Sequence, residues 1–295
     1  MKGRPAHENT AGTRYLALRK QAKALGRPTA ELLQLYALEG FLARLERSEH
    51  RPRLVLKGGV LLAAFELRRP TRDIDFLALE VDNQPAAIGR LIADVANVEV
   101  NDGLDFRVET ITTSITRDDD VYPGVRVRLQ ALLATARLPL QVDVNVGDPV
   151  VPEATPTRIP PILPGPGPTV LAYPRAMVIA EKLVTALQRG AASTRWRDFA
   201  DLYLMIMVDP VAAELAVPSI AAVARHRGVP LGPLRRVLAD MPDRAQTRWE
   251  SWLEQHGLEQ RVPRSFGEML DQLDLRTQAC ISAAAATGSN SDDRG

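Results

Sequence analysis

Two glycines, preceded by a lysine, stand between a short apolar run and a helix-forming run, and an Asp-x-Asp pair follows them after thirteen residues. Arg53-Leu54-Val55-Leu56 reads as a short buried strand ending at Lys57-Gly58-Gly59. Val60 to Leu67 reads as a helix and Asp73 to Leu79 as a second strand. Residues i and i+2 of a strand project to one side, so Asp73 and Asp75 share a face while Ile74 and Phe76 point into a core. Two carboxylates about 4 Å apart repel by about 4 kcal/mol at an effective dielectric near 20. A divalent cation removes that cost, and Mg²⁺ takes one or two carboxylates together with substrate phosphate oxygens. Glycines let the backbone approach a phosphate closely, with the N–H groups of the next helix aimed at it. The unit is therefore expected to hold a metal–nucleotide complex.

The rest of the composition narrows the setting. At 295 residues, with 45% hydrophobic and 25% charged side chains, the chain has the make-up of a soluble protein with one large or two modest domains. No apolar run is long enough to span a bilayer, and the polar, basic N-terminal residues lack the apolar core of a signal peptide. Cys280 is the only cysteine, which excludes a disulfide framework and a thiolate zinc site; the four histidines lack metal-ligand spacing. A cytoplasmic protein without a membrane partner is expected. Residues 1–30 carry seven Lys or Arg against Glu8 alone, a net +6 in a chain whose total is +1, so this segment can track a phosphate backbone. Only five lysines occur, and two of them, Lys57 and Lys182, lie in the motifs that carry the chemistry. An ammonium meets a single phosphate oxygen as a compact point charge, where a guanidinium forks across two.

Along the chain, residues 1–29 form a basic N-terminal segment with a short helix from Tyr15 to Leu25, and a long amphipathic helix runs from Thr29 to about Ser48. The catalytic-type unit is placed at 30–150. It also holds a helix at 85–98 and strands at Phe106 to Ile115, Gly124 to Leu133 and Leu138 to Val146. In the last strand Gln141, Asp143 and Asn145 fall on the face opposite Val142 and Val144. A carboxylate in so apolar a strand needs a partner. A neighbouring strand carrying Asp73 and Asp75 would supply it through a shared metal, giving a ligand set of Asp73, Asp75 and Asp143. Nine prolines between Pro149 and Pro174 mark residues 151–174 as an extended connector. Residues 175–287 read as a helical C-terminal domain, with helices at 175–189, 194–208, 211–227 (interrupted at Pro218), 231–240, 242–256 and 265–285. Residues 288–295 read as a disordered tail.

The first two of those C-terminal helices carry a second constellation. Lys182 borders the apolar stripe of one and Asp198 that of the next, with Arg189 two turns beyond Lys182. A short turn at 190–193 makes the helices antiparallel neighbours, which can bring Lys182 and Asp198 together, either as an ordinary interhelical salt bridge or as part of the site.

Taken together, Lys57-Gly58-Gly59, Asp73-Ile74-Asp75, Glu181-Lys182-Leu183 and the run from Arg195 to Tyr203, which contains Asp198 and Asp201, resemble the AbiEii family over roughly residues 30–210. These are nucleotidyltransferase-like toxins of type IV toxin–antitoxin systems, the MenT group among them. The resemblance implies an α+β fold with an α/β-type core: a polymerase-beta-like nucleotidyltransferase domain with a mixed sheet, followed by an all-helical domain. It implies transfer of a nucleotide from an NTP to RNA, with the tRNA 3′ end as acceptor, a block of translation and growth, and a cognate antitoxin acting functionally or directly. By matching position, Asp73 and Asp75 would hold Mg²⁺, with Mn²⁺ as its substitute, and Lys57, Gly58 and Gly59 would hold phosphates. Lys182 and Asp198 would complete the catalytic set, Lys182 and Arg189 serving the nucleotide. Asp143 rests on the strand reading alone. Thr71, two residues before Asp73, is a candidate regulatory position, because a phosphate there would add about −1.5 to −2 charges beside the metal site.

Two other functions fit the same residues. The acceptor can be a small molecule, which would not need a basic surface such as that offered by the N-terminal segment and Arg68, Arg69 and Arg72. A catalytically silent nucleotide-binding regulator would have no use for an intact Asp pair.

Overall fold

The computed structural model describes residues 9–116, 124–209 and 211–289. The chain divides into two units, residues 1–147 with 155–172, and residues 148–154 with 173–295. The basic positions Lys2 and Arg4, and the tail beyond residue 289, lie outside the described residues.

In the first unit, α1 (Thr10–Ala24) and α2 (Thr29–Arg47) precede β1 (Leu54–Lys57), the one-turn helix α3 (Gly58–Leu61) and β2 (Asp73–Ala78). Then come α4 (Pro85–Ala96), β3 (Leu104–Thr116), β4 (Gly124–Leu133), β5 (Ala136–Val146), β6 (Thr155–Arg158) and β7 (Thr169–Ala172). The described strands form a seven-stranded mixed sheet in the order β3-β4-β5-β2-β1-β7-β6. β2 runs antiparallel to β1 and parallel to β5, while β4 is antiparallel to both β3 and β5. Strand alternation decides which face is covered. Ile74, Phe76, Val125, Val127, Val142 and Val144 are all buried, and Phe76 meets Phe41 of α2 at 6.4 Å between ring centroids. The intervening residues Asp73, Asp75, Arg126, Arg128, Gln141 and Asp143 lie on the opposite, polar face and are half-buried or exposed.

Two expectations change here. The helix foreseen from Val60 to Leu67 is a single α-turn followed by a 3-10 turn over Leu62–Phe65, and Glu66 then ends it in the left-handed region at φ 63°. The N–H groups expected to point from a two-turn helix toward a phosphate are thus those of a single turn. The stretch 151–174 is not a mere connector. Its residues form β6 and β7, β7 pairing in parallel with β1 and burying Val170 and Ala172 completely. Prolines are tolerated there because Pro156 sits in the edge strand β6, where one side needs no donor. Within the sheet, β3 pairs with β4 in register from Leu104 to Arg107 and again from Thr112, with a shift between the two stretches.

A buried charge network fastens α2 to the start of β3. Arg44 donates to both carboxylate oxygens of Asp102, at 2.6 and 3.2 Å, and to the carbonyls of Gly40 and Leu104, each at 3.0 Å. Its guanidinium carbon lies 4.5 Å from the Phe106 ring centroid.

Elsewhere on α2, Glu39 accepts the Ile162 N–H at 2.6 Å. Burial pushes its carboxyl up to about 7, against the Ile162 hydrogen bond and the Arg68 guanidinium, which both pull it down. The folded chain therefore binds this proton more tightly than the unfolded chain, whose carboxyl titrates near 4.5. Stability contributed by the neutral form is lost as pH rises from about 4.5 to about 7. Glu39→Gln removes that loss. Urea unfolding of variant and wild type at pH 4.5 and pH 8 is expected to show no difference at the lower pH and a gain for the variant on the order of 2 kcal/mol at the higher. Equal gains at both would refute the assignment.

The second unit is helical: α5 (Arg175–Arg189), α6 (Trp196–Val208), α7 (Val211–Leu215), α8 (Val217–Arg227), α9 (Leu234–Val237), α10 (Met241–His256) and α11 (Phe266–Ser289). Phe266 packs edge-on against Phe199 and Trp249, at 5.3 and 5.4 Å between centroids. The helix foreseen at 231–240 shrinks to the single turn α9, which begins directly after Pro233. Arg227, buried on α8, binds both oxygens of Asp148 at 3.0 and 3.4 Å and the Thr185 hydroxyl at 3.1 Å.

Candidate active site

The polar face of the sheet carries two adjoining rows of side chains. Across β1, β2, β5 and β4 the register aligns Lys57, Asp75, Asp143 and Arg126. Two residues earlier on β2 it aligns Asp73 with Gln141 and Arg128, and then with Thr112 of β3. Laterally paired residues project to the same side at strand spacings of about 4.8 Å. Lys57 therefore stands next to Asp75, on the flank of β2 opposite to β5.

The turn after β1 is shaped around Asp75. Gly58 has φ +68°, and a Cβ built on it would lie 1.9 Å from Asp75 Oδ2. Only glycine takes this conformation without strain and leaves room for the carboxylate. Gly59 packs against Thr71, whose Oγ1 would stand 2.8 Å from a Cβ at that position. Thr71 is buried and donates its hydroxyl to Asp73 Oδ1 at 2.9 Å. The glycine turn thus buttresses the pair on both sides, directly at Asp75 and through Thr71 at Asp73.

Asp143 stands in the expected register beside Asp75 but has other partners. Arg126 donates to its two oxygens at 2.7 and 2.9 Å, and the Gln141 amide donates to Oδ2 at 3.1 Å. Among the described residues no group of three or more His, Cys, Asp or Glu is placed to hold a metal ion. The three-carboxylate set expected from alternation is therefore not assembled, because the guanidinium one strand over satisfies Asp143. What remains is a half-buried pair of hard oxygen donors, Asp73 and Asp75, on one strand face. Such a pair fits a cation that completes its coordination with substrate phosphate and water.

In the helical unit Lys182 is buried, and its ammonium donates to Asp198 Oδ1 at 2.6 Å and to Asp201 Oδ2 at 2.9 Å. The motif spacing pairs Lys182 with Asp198, and the structure adds Asp201 as a second partner. Asp201 is the more enclosed of the two, its side chain 3% exposed against 22% for Asp198. The signal was present in the i, i+3 spacing of the two aspartates on α6, which places both toward α5. Arg195 reaches Asp198 Oδ2 at 3.8 Å, and Arg189 is half-buried at the end of α5.

Two crystal structures from Helicobacter pylori are similar at low identity. JHP933 is 14% identical with a TM-score of 0.47, covering 89% of this chain and 95% of its own. A putative nucleotidyltransferase is 14% identical with a TM-score of 0.45, covering 88% and 96%. No curated protein matches. The family profile described as "Nucleotidyl transferase AbiEii toxin, Type IV TA system" matches residues 40–272, which takes in the glycine turn, the Asp pair and the Lys182–Asp198–Asp201 cluster. This chain, a mixed-sheet α+β unit followed by helices, belongs to the AbiEii family of nucleotidyl transferase toxins of type IV toxin–antitoxin systems.

Proposed function

We propose that the chain moves a nucleotide from a nucleoside triphosphate to an RNA acceptor, the tRNA 3′ end foremost, and thereby blocks translation and growth. The observation that carries this reading is the packing of Gly58 against the Asp75 carboxylate, with Lys57 beside it and Asp73 on the same strand face. Backbone without a side chain, one ammonium and two adjacent carboxylates suit the phosphates of a metal–nucleotide complex.

In this reading the acceptor hydroxyl gives up its proton to solvent as its oxygen attacks the α-phosphorus, the new O–P bond forms opposite the departing oxygen, and pyrophosphate leaves. Lys57 and the backbone of Gly58 and Gly59 bind the phosphates on the β1 flank and offset their charge. Asp73 and Asp75 would hold Mg²⁺, or Mn²⁺ in its place. Bound there, the cation supplies charge neutralisation and activation of the acceptor hydroxyl. Thr71 fixes the Asp73 carboxylate by its hydrogen bond. Lys182 and Asp198 are assigned catalytic roles, and Lys182 with Arg189 nucleotide-binding roles, on the match of their motifs. Asp201 joins them as the residue that holds the Lys182 ammonium from its buried side. Asp143 positions Arg126 and is not assigned to the metal. A phosphate on Thr71 would replace the donor to Asp73 with negative charge and silence the site. Its burial means that a modifying enzyme must first open the turn. The family supplies a cognate antitoxin as a partner. Among the described residues no helix is long and apolar enough to cross a membrane.

The test is a labelling assay. Wild type and Asp73→Ala are incubated with total tRNA, Mg²⁺ and each α-labelled nucleoside triphosphate in turn. Label on tRNA with the wild type and its absence with the variant is the expected result. Absence of label on RNA with every nucleotide would shift the reading to a small-molecule acceptor or to a silent nucleotide-binding regulator.

A further inference from the structure

A cavity of about 420 Å³ opens on the polar face of the sheet beside Asp73. Its walls include Arg72, Asp73, Thr112, Arg128, Gln130 and Gln141. Two irregularities of the sheet create it. On one side, β3 and β4 shift register between Arg107 and Thr112, which sets Thr110 and Thr112 at the rim. On the other, β5 extends past the start of β2. Pairing begins at Asp73 with Gln141, so Pro139, whose missing N–H would disrupt a ladder, lies where β2 is not yet alongside. The groove left there runs from the Asp pair outward along the row Gln141, Arg128, Thr112.

We propose that this cavity seats the terminal 3′ nucleoside of the RNA acceptor, a subsite that deepens the nucleotidyltransferase reading above and rests on it. The placement argues for the acceptor rather than the incoming nucleotide. Lys57 and the glycine turn lie on the β1 flank of β2, while the cavity lies on the β5 flank. An in-line displacement needs its attacking and leaving oxygens on opposite sides of the phosphorus. With the triphosphate on the β1 side, the attacking hydroxyl arrives from the β5 side, and the cavity begins at that edge. Arg128 stands two strand spacings from Asp73, about 10 Å, roughly the reach of one nucleoside.

The lining chemistry names the ligand class. Two guanidinium groups against one carboxylate favour an anionic acceptor and disfavour a polycationic small molecule. Gln130 offers a paired donor and acceptor, the pattern that meets a base edge; Gln141, which gives one amide hydrogen to Asp143, keeps a second donor and its carbonyl, and guanidinium planes stack on unpaired bases. Threonine hydroxyls can meet a ribose 2′-OH. Arg128 and Gln130 are exposed, so they can be truncated without disturbing the core.

The test uses the full chain without nucleoside triphosphate, so that binding is read apart from catalysis. Anisotropy would follow a fluorescent RNA hairpin ending in four unpaired 3′ nucleotides, and the same hairpin with an abasic last position. Wild type is expected to bind the intact end about tenfold tighter, and Arg128→Ala to erase that preference. Gln141→Ala, which leaves both arginines in place, is expected to reduce it. Calorimetry with ATP, CTP, GTP and UTP in Mg²⁺ is expected to give the same affinities for wild type and Arg128→Ala. Loss of triphosphate binding in Arg128→Ala would overturn the proposal by giving the cavity to the incoming nucleotide. A wild type that binds both hairpins equally, or an Arg128→Ala variant that keeps the preference, overturns the subsite while the RNA reading stands. A wild type that binds neither hairpin overturns both.

Discussion

Gly58→Ala is expected to lower nucleotide transfer by at least about 10²-fold, approaching the loss caused by Asp75→Ala, while leaving the fold intact. The added methyl carbon would stand 1.9 Å from Asp75 Oδ2 and 2.6 Å from its Cγ, and the backbone there has φ +68°. Two responses are open to the chain. The carboxylate swings away from the turn, or Gly58 relaxes its dihedral and carries Lys57 with it, since Lys57 pairs with Asp75 across β1 and β2. Either displaces a group proposed to bind phosphate or cation by an ångström or more, and a misplacement of that size is costly for an in-line reaction. The cost to stability is smaller, on the order of 1 kcal/mol for a non-glycine residue held in the left-handed region. Activity and melting temperature measured on the same samples separate the two effects. A Gly58→Ala enzyme with near-wild-type turnover would show that Asp75 need not occupy this position. Gly26 is a useful control, being also left-handed at φ +63° but with nothing within 4 Å of where a Cβ would stand, so Gly26→Ala is expected to carry only the backbone penalty.

Asp102→Ala is expected to destabilise the protein by about 3–4 kcal/mol, and the reason lies in what it leaves behind. Arg44 has a side chain 4% exposed, and Asp102 answers both its terminal nitrogens. Removing the carboxylate leaves a buried guanidinium with only the Gly40 and Leu104 carbonyls as acceptors, and its Nε already lacks a partner. Asp102 also accepts the Leu104 N–H at 2.9 Å, so the start of β3 loses its anchor as well. The double variant Arg44→Met, Asp102→Ala is expected to be more stable than Asp102→Ala alone, because it removes the stranded charge and keeps apolar contact with Phe106. Thermal unfolding monitored by circular dichroism would show this as a lowered midpoint that partly recovers in the double variant. A single variant within about 1 kcal/mol of wild type would mean that water reaches Arg44 readily.

Local pattern carried much of this architecture. Alternation in Asp73 to Ala78 and in the strand ending at Val146 dictated which residues face the core, because side chains on a strand alternate without exception unless a bulge intervenes. The glycine doublet announced a tight turn, and the family resemblance rested on the same residues that the family profile spans. Where periodicity is weak, the pattern does not reveal the element. The proline-rich stretch hid β6 and β7, since a strand at or near a sheet edge tolerates prolines that a central strand does not. The run after the glycines looked helical for two turns, but Glu66 adopts a left-handed conformation that no spacing rule foretells.

The amino-acid sequence by itself determined that Asp73 and Asp75 share a face, that Lys57-Gly58-Gly59 precedes them at a turn, and that a helical segment carrying Lys182 follows. Those are matters of nearest neighbours and period. Only the tertiary structure decided what each charge meets. Strand order put Asp143 between Asp75 and Arg126 and gave its carboxylate to the arginine; helix packing placed Asp201 beside Asp198 on Lys182. The register shift in β3 and the overhang of β5 opened a cavity beside Asp73 that no segment shows alone. The physical reason is that an ion pair or a cavity depends on distances between residues far apart in the chain, and these exist only once the sheet has chosen its order and register.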